Sequence, residues 1–519
     1  MAMKQRKTKA IAEFGDFQTP SALAFAATKM LARLGIQPHS IVEPTCGKGS
    51  FVAAAAACFP EASSITGVDI NLAHLDVARA ATDAGRVELR QGDFFKLDWQ
   101  SVVTKAGEPW LVIGNPPWVT SAELGIIESD NLPEKSNFHG RTGIEAITGK
   151  SNFDISEWMI LRYLDWLEGS EGTIAVLCKT AVARKILMHV WKKNIPTRLT
   201  RIYKIDALGH FGAAVDACFF VLKIEPKAHT VTCDVFDTLD AEAPSHTIGF
   251  LHGHIISDVT AFNDYRSLLG PDNRYVWRSG VKHDCSKVME LTVTRDGYKN
   301  GLDEIVSIED TILFPMLKSS DIGNGRVNCR GVMIVTQQLV GEDTNYIRVT
   351  APRTWEYLTR HAALLHKRGS VIYKNKPPFS VFGVGPYSFA PWKVAISGFY
   401  KKLHFVKIGP VGGRPVVFDD TIYFLPCWSE DEASFVESLL RSEAAEAFLR
   451  AMIHWDEKRP ITAEILKRLS IQNLAEMLGR EEDYSRFTGP QNLPLFAAPH
   501  AIGKEVVATA GQTRAYLPS

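Results

Sequence analysis

The feature that most constrains the fold is an alternation of short β-branched runs with helical periodicity between about residues 41 and 224. Six runs predict six strands, at 40–42, 64–70, 87–90, 110–113, 172–177 and 218–224. Strands that alternate with helices predict a parallel α/β sheet with helices on both faces. Asp154, followed by a broad apolar stripe, predicts a capped crossover helix between the fourth and fifth strands.

The alternation ends near residue 235, and glycine, proline and aromatic residues then become frequent in irregular segments. Helical periodicity returns only in 430–455 and 462–477. A chain of 519 residues is long enough for two domains. We therefore expect a first domain over residues 1–240 and a second, of mixed α+β architecture, over residues 241–519. The tail from Pro490 is expected to be an extended arm or a poorly ordered end.

Composition excludes several classes of protein. The formal net charge is zero, which argues against a wholesale basic coat, so any nucleic-acid surface must be local. The eight cysteines are scattered and never have C-x-x-C spacing, so we expect reduced core thiols and no metal site. The sequence has no signal peptide and no apolar run of membrane-spanning length. These features predict a cytoplasmic protein with no membrane partner.

A glycine turn follows the first predicted strand. The segment Glu43-Pro-Thr-Cys-Gly-Lys-Gly-Ser-Phe51 lies between that strand and an alanine-rich helix, and its small residues let a ligand approach backbone amides. It is not the G-x-G-x-x-G of nicotinamide enzymes, and it lacks the ending of a phosphate loop because Lys48 is followed by Gly49. Taken alone, the segment is equally consistent with a plain tight turn.

Two carboxylates come at the ends of the next two strands, where open α/β sheets place their ligand crevice. Asp69 is positioned to accept hydrogen bonds from ribose hydroxyls, and Asp93 could accept one from the amino group of an adenine ring. The alternative for each residue is a helix cap or a turn former.

The fourth strand stops on Asn115-Pro116-Pro117-Trp118. Two successive prolines stiffen the backbone and remove donors. The side-chain oxygen of Asn115 and the carbonyl of Pro116 can then accept both hydrogens of a planar amino group, while Trp118 offers a flat surface for the attached ring. Such an arrangement keeps the nitrogen lone pair free to attack a methyl sulfonium.

These segments together resemble the amino-methyltransferases of restriction-modification systems, specifically the gamma-class N6-adenine DNA methyltransferases. The matching motifs span nearly all of the first 225 residues, in that family's order: Gln18-Thr-Pro20, Glu43 to Phe51, Asp69, Asp93-Phe94, Asn115 to Trp118, and His210-Phe-Gly-Ala-Ala-Val215. In the family the Asn-Pro-Pro motif usually ends in Tyr or Phe, and here it ends in Trp. An indole preserves the stacking role but changes the pocket shape.

The resemblance implies a Rossmann-like fold, S-adenosyl-L-methionine as cofactor and a set of site residues. The methionine part of the cofactor would be surrounded by Thr19, Pro20, Glu43, Thr45 and Gly47, with Pro44, Cys46 and Gly49 in the same cofactor-binding set. Asp69 would hold the ribose, Ile70 would pack on the cofactor's adenine, and Asp93 and Phe94 would bind that adenine. The target base would lie in a catalytic set comprising Asn115, Pro116, Pro117, Trp118 and Phe211, with Phe211 stacked opposite Trp118.

A target adenine in a duplex cannot reach the cofactor, so the base must be flipped into the pocket. Relatives with the same motif methylate a glutamine side chain in release factors, so the polymer must be decided by the second half. There, residues 353–407 carry many Lys and Arg but only the one acid Glu356, with aromatic residues interleaved. This favours a target-recognition domain for double-stranded DNA, with DNA contacts from Lys374, Lys376, Lys393, Lys401 and Lys402.

We expect a monomer that protects host DNA in a restriction-modification system, alongside a possible cognate restriction endonuclease. The long polar segment 119–152, which directly follows the pocket, is expected to order on DNA near the flipped base. The alternatives are an RNA or protein (glutamine) amino-methyltransferase and a catalytically silent DNA-binding relative.

Overall fold

The computed structural model describes residues 17–82, 85–103, 107–119, 154–295 and 297–489. The expectations for the tail from Pro490 and for the segment 120–152 therefore lie outside the described residues. Among the described residues, no helix is both long and apolar enough to cross a lipid bilayer.

A ten-stranded sheet dominates the first half of the chain, in the strand order β10-β9-β8-β6-β7-β5-β4-β1-β2-β3. Its strands are β1 (Ser40–Glu43), β2 (Ser64–Asp69), β3 (Val87–Gln91), β4 (Trp110–Gly114), β5 (Gly172–Lys179), β6 (Thr197–Ile205), β7 (Ala217–Ile224), β8 (Thr232–Phe236), β9 (His246–Leu251) and β10 (His254–Ile256). The first five strands are parallel, and β7 runs antiparallel between β5 and β6. All six predicted strands are present and the expected α/β class is confirmed, but the expectation of a wholly parallel sheet is wrong for the sixth strand, β7, which is antiparallel to both of its neighbours.

Helices cover both faces of this sheet. They are α1 (Ser21–Arg33), α2 (Ser50–Cys58), α3 (Leu72–Ala81), α4 (Trp99–Val103), α5 (Ile155–Trp166), α6 (Thr180–Lys192) and α7 (Ala207–Phe211). Successive strand residues point to opposite faces: Phe219 packs in the core with α1 and α2, and Phe220 packs in the core with α5 and α6. The predicted crossover helix is confirmed, because the Asp154 side chain accepts a hydrogen bond of 3.1 Å from the Ser156 amide at its start.

The second half contains two smaller sheets, ordered β11-β20-β17-β18 and β14-β13-β12-β16-β15-β19. Their strands are β11 (Arg278–Ser279), β12 (Glu290–Thr294), β13 (Gly297–Lys299), β14 (Ile305–Val306), β15 (Leu313–Leu317), β16 (Gly331–Ile334), β17 (Trp392–Ser397), β18 (Val406–Ile408), β19 (Val417–Phe418) and β20 (Ile422–Cys427). The expected mixed α+β architecture is therefore present. The division at residue 240 stays a prediction; the ten-stranded sheet continues to Ile256.

Helices of the second half are short. They are α8 (Val259–Asn263), α9 (Ser286–Met289), α10 (Ser319–Gly323), α11 (Ile347–Thr350), α12 (Pro352–Arg360), α13 (Ala362–His366), α14 (Glu430–Leu440), α15 (Glu443–Met452), α16 (Ala463–Leu466), α17 (Ile471–Met477) and α18 (Glu481–Thr488). Each of the two predicted helical stretches is divided into two helices. The breaks come where Ser442 and Ser470 accept hydrogen bonds from the Ala445 and Asn473 amides and so start new helices.

Candidate active site

A cavity of about 380 Å³ opens at the carboxyl edge of the sheet, where β1, β2, β3 and β4 end. Ten of the twelve predicted cofactor-binding residues line it, namely Thr19, Glu43, Pro44, Thr45, Cys46, Gly47, Asp69, Ile70, Asp93 and Phe94. Pro20 and Gly49 do not line it and instead precede helices α1 and α2 as their caps. Of the predicted catalytic residues, Asn115 and Pro117 are on its wall. The parallel strands thus bring distant sequence motifs to one cavity.

The glycine turn after β1 requires its glycines. Gly47 and Gly49 have φ values of 51° and 81°, in the left-handed region that side chains rarely adopt. A Cβ added to Gly47 would come 2.7 Å from Oε1 of Gln18. The amide of Lys48 donates to that same oxygen at 3.0 Å, and the Ser50 hydroxyl donates to the Thr19 carbonyl at 2.7 Å. The segment 17–19 is thereby fixed over the turn, as a wall of the cavity.

Glu43 is the most deeply buried carboxyl group of the cavity. Its Oε2 accepts a hydrogen bond of 3.0 Å from the Val52 amide at the start of α2. Burial raises the pKa of this carboxyl well above its ordinary value, and the nearby Asp69 carboxylate raises it further, against the effect of the Val52 amide. A cationic ligand beside Glu43 would favour its ionised form.

Asp69, at the end of β2, is fixed by two backbone amides. Gly47 donates to Oδ2 and Asn71 donates to Oδ1, each at 2.8 Å. Nδ1 of His74 lies 3.6 Å from Oδ1. Because a carboxylate oxygen can accept two hydrogen bonds, both oxygens retain capacity for ligand hydroxyls.

Asp93 and Phe94 follow β3. The Asp93 carboxylate accepts from the Phe95 amide at 2.9 Å and pairs with the exposed Lys96 ammonium at 3.2 Å. The Phe94 ring packs in an aromatic cluster with Trp99 at 5.1 Å between ring centroids, and the Trp99 indole donates to the Phe94 carbonyl at 2.8 Å. Phe94 therefore joins the cavity wall to the hydrophobic core.

Asn115 presents an unpaired acceptor. Its Nδ2 donates to the Phe17 carbonyl at 3.0 Å, which fixes the plane of the amide. Its Oδ1 is buried and has no hydrogen-bond partner among the described residues. A buried polar atom without a partner costs about 1–3 kcal/mol. A donor in the cavity, such as an amino group, would remove that cost.

The turn that carries Asn115 is fixed at its other end by Trp118. The buried indole donates to the Leu177 carbonyl at 3.2 Å. Lys179, at the end of β5, donates from Nζ to the Trp118 carbonyl at 3.0 Å and pairs with the Asp154 carboxylate at 2.6 Å. Sequence reasoning missed Lys179, whose only signal is its place at the end of a parallel strand.

Trp118 and Phe211, which are predicted to stack on either side of a target base, lie next to each other. The two rings contact each other directly, with 5.1 Å between centroids and 71° between planes, and neither lines the cavity. This direct contact between the two rings buries apolar surface of both. Phe17, which sequence reasoning also missed, completes the group at 5.8 Å from Trp118 and 6.2 Å from Phe211. Its signal was an aromatic residue directly before Gln18-Thr-Pro20.

One predicted DNA contact is wrong. Lys393 lies in β17 with only 1% of its surface exposed, and its ammonium donates to the Ala390 carbonyl at 2.6 Å. The ammonium also faces the rings of Phe418 and Phe424, and burial lowers the pKa of Lys393 to about 7. A buried lysine cannot reach a phosphate. The other predicted contacts, Lys374, Lys376, Lys401 and Lys402, are exposed.

Comparison with known proteins defines the family. The chain is 44% identical over 470 residues to the type II methyltransferase M.NspV of Nostoc sp., which covers 90% of this chain and 98% of that protein. The chain belongs to the type II methyltransferases, the DNA methyltransferases of restriction-modification systems. No family model matches this methyltransferase.

Among solved structures, the methyltransferase resembles the Type IIL restriction-modification enzyme MmeI, solved in complex with DNA. The TM-score is 0.51 at 11% identity, covering 93% of this chain and 70% of that one. A putative class I S-adenosylmethionine-dependent methyltransferase from Listeria monocytogenes matches with a TM-score of 0.31, at 14% identity over 43% of this chain and 67% of that one. At this identity the MmeI match shows the fold alone.

S-adenosyl-L-methionine is the cofactor of a methyltransferase of this family, and the cavity fits it. The ligand carries an ammonium and a sulfonium, and the cavity wall holds the carboxyl groups of Glu43, Asp69 and Asp93. The absence of a Cβ at Gly47 lets the Gln18 side chain pack directly against the glycine turn that forms this wall of the cavity. Among the described residues, no group of three or more His, Cys, Asp or Glu side chains is arranged to hold a metal ion. The expectation of a metal-free site stays a prediction.

Proposed function

We propose that this methyltransferase transfers a methyl group to the exocyclic N6 of adenine in double-stranded DNA, at a specific site and on a flipped-out base. The observation that carries the proposal is the buried, unpaired Oδ1 of Asn115 at the wall of the cavity. An acceptor in that position is suited to a planar amino group, which has two hydrogens to donate. A hydroxyl group has only one hydrogen to donate to such acceptors, and a ring carbon has none.

The chain's contribution to the reaction is orientation. Oδ1 of Asn115 and the Pro116 carbonyl each accept one hydrogen of the amine, so its lone pair points towards the cavity that holds the cofactor. A bound cofactor would supply an activated methyl group to N6, and its sulfur would keep the electron pair of the broken bond. The methylated nitrogen then releases one proton to water. Fixing the amine between two rigid acceptors lowers the entropic cost of an in-line displacement.

Base insertion requires the aromatic group at the pocket to open. Trp118 is held by bonds at both its indole and its carbonyl, whereas Phe211 is half-buried on the one-turn helix α7, which ends at Gly212 with φ of 64°. The mobile partner is therefore Phe211, which moves away from Trp118 and stacks on the inserted base. Stacking on both rings offsets part of the cost of unpairing the base.

The second half supplies the DNA contacts and the sequence preference. Exposed lysines at 374, 376, 401 and 402 lie in a segment almost free of acids. The structural relative MmeI was solved with DNA. The methyltransferase acts as a monomer in the cytoplasm, modifies one strand at a time, and protects DNA against a cognate restriction endonuclease. Metal takes no part in transfer.

The role of Asn115 is tested by Asn115→Ala. The variant removes the acceptor but leaves the prolines and the cavity, so methyl transfer to duplex DNA falls by at least ~100-fold, on the scale of one lost transition-state hydrogen-bonding group. Cofactor affinity, measured by calorimetry, stays within about twofold. Wild-type turnover by the variant contradicts the proposed role, and loss of cofactor binding together with turnover shows a structural role only.

A further inference from the structure

A second cavity, of about 920 Å³, separates the catalytic half from the second half. One side is formed by α7 and the segment after it, including Leu208, His210 and Val215, close to Phe211. The other side is formed by the segment 454–456, which belongs to the second half. The two sides thus face each other next to the ring that must move for base insertion.

Segment 454–457 is tied to the catalytic half by one buried arginine. Arg184 on α6 is 5% exposed, and its guanidinium pairs with the Asp456 carboxylate at 2.5 Å and with the Glu457 carboxylate at 3.0 Å. Both acids are therefore paired with Arg184, while the Glu457 side chain keeps 43% of its surface exposed. The residues that follow, Lys458 and Arg459, are exposed.

These exposed cations adjoin a loop that follows β17. The Arg459 guanidinium lies 4.4 Å from the centroid of the Phe399 ring, and the ring is 38% exposed. A Cβ added to Gly398 would lie 3.2 Å from the Ile461 carbonyl, so the two segments run side by side. Lys401 and Lys402, both exposed, complete the face.

The loop is held in place from its other side. The Tyr400 ring lies directly against Gly323, where a Cβ would collide with it, and the Tyr400 hydroxyl accepts a hydrogen bond of 3.3 Å from Asn324. Fixing the loop in this way presents its lysines and its exposed ring without a large entropic cost on binding.

We propose that this face, defined by Phe399, Lys401, Lys402, Lys458 and Arg459, binds the sugar-phosphate backbone of the duplex whose target base enters the pocket at Asn115. The inference rests on the proposed function and assigns contacts to it. Four cations whose neighbouring acids are engaged elsewhere suit a polyanion, and an exposed ring among them suits a sugar or base rather than an acidic peptide. Lys458 and Arg459 directly follow the segment 454–457, whose first three residues line the cavity beside α7, so the face and that cavity adjoin each other along the chain.

The test compares two pairs of adjacent lysines. Lys401→Ala/Lys402→Ala removes two cations of the face. Lys192→Ala/Lys193→Ala removes two exposed cations at the end of α6, at the opposite edge of the sheet from the pocket. Duplex binding is measured between low and high salt by fluorescence anisotropy, with thermal unfolding as the check on folding.

The first pair is expected to weaken duplex binding and to reduce the slope of log affinity against log salt by about 1 to 2, because each phosphate contact contributes ~0.9. In the Lys401→Ala/Lys402→Ala variant, the KM for DNA is expected to rise while kcat at saturating DNA stays unchanged. The control pair leaves both quantities unchanged. Phe399→Ala, which removes no charge, is expected to weaken binding at an unchanged slope.

An unchanged salt slope in Lys401→Ala/Lys402→Ala, or an equal loss in the control pair, overturns this assignment. Either result leaves the proposed function standing if the wild-type protein methylates duplex DNA. Conversely, a reduced slope without any methylation of DNA sustains the contact face and overturns the proposed function. The two failures are therefore distinguishable.

Discussion

Residues at the pocket differ in position: some line the cavity, and others hold the lining residues in place from outside it. Asn115 and Glu43 line the cavity, whereas Lys179 lies outside it and bonds to the Trp118 carbonyl and to Asp154. The family resemblance indicated the first kind, because ligand-facing residues recur in motifs. It missed the second kind, because a lysine at the end of a strand carries no motif. Lys393 was misassigned for a related reason: sequence alone does not show that both faces of β17 are covered.

Lys179→Met is expected to lower both stability and kcat. It leaves the buried Asp154 carboxylate without its partner, which costs about 3 kcal/mol, and it frees the Trp118 carbonyl. Adding Asp154→Asn removes the uncompensated charge, so the double variant regains stability in urea unfolding but not kcat, while KM for the cofactor is unchanged throughout. Recovery of kcat together with stability would contradict a positioning role.

Glu43 predicts a pH dependence of cofactor binding. Its pKa in the folded protein is raised, so the stability it contributes is present below the unfolded pKa and is lost as pH rises through the folded value. A cationic cofactor lowers that pKa, so binding releases a proton and affinity rises as pH rises towards the raised pKa.

Proton release is measured by calorimetry in two buffers of different ionisation enthalpy. Glu43→Gln keeps the shape of the side chain and is expected to abolish the release. Proton uptake on binding, or release that persists in Glu43→Gln, contradicts this account of Glu43.

At the scale of elements, six strands followed from the sequence, but the antiparallel direction of β7 and the presence of β6, β8, β9 and β10 did not. Five of the six predicted strands are mainly apolar, as buried strands are, whereas β3, at the edge of the sheet, alternates apolar with polar residues. Strand β6 was missed because its sequence, Thr197-Arg-Leu-Thr-Arg-Ile-Tyr-Lys-Ile205, interleaves three cations with apolar residues and is buried on alternate sides. The two divided helices of the second half were predicted as single stretches because apolar periodicity continues across Ser442 and Ser470, where side-chain caps restart the helix.

Helix α7 is expected to act as the moving element of the pocket. Phe211→Ala removes its ring and is expected to reduce kcat/KM for duplex DNA by about 5- to 150-fold, the equivalent of 1–3 kcal/mol of base stacking. Phe211→Tyr retains a ring and should retain most activity. A fluorescent 2-aminopurine at the target position reports extrusion. Equal extrusion and turnover in Phe211→Ala and in the wild type would show that the ring takes no part.

For the whole molecule, the two halves meet across a cavity lined by Leu208 and His210 on one side and by the segment 454–456 on the other. Arg184 spans the junction through Asp456 and Glu457. Sequence reasoning identified a basic segment over residues 353–407 but could not place its lysines relative to the pocket, since their positions depend on contacts between segments more than 200 residues apart. Under the proposed function, the turn at residues 115–118 carries out the transfer while a separate surface of the second half selects the DNA site.

The central claim is that this turn methylates the N6 of adenine, and the product itself tests it most directly. Purified protein is incubated with labelled S-adenosyl-L-methionine and unmethylated plasmid DNA, with structured RNA and a release factor in parallel, and each polymer is hydrolysed. The account predicts label in N6-methyladenine from DNA, at one short sequence, and background label in the other two polymers. Label in N4-methylcytosine, or in RNA or protein alone, would contradict it.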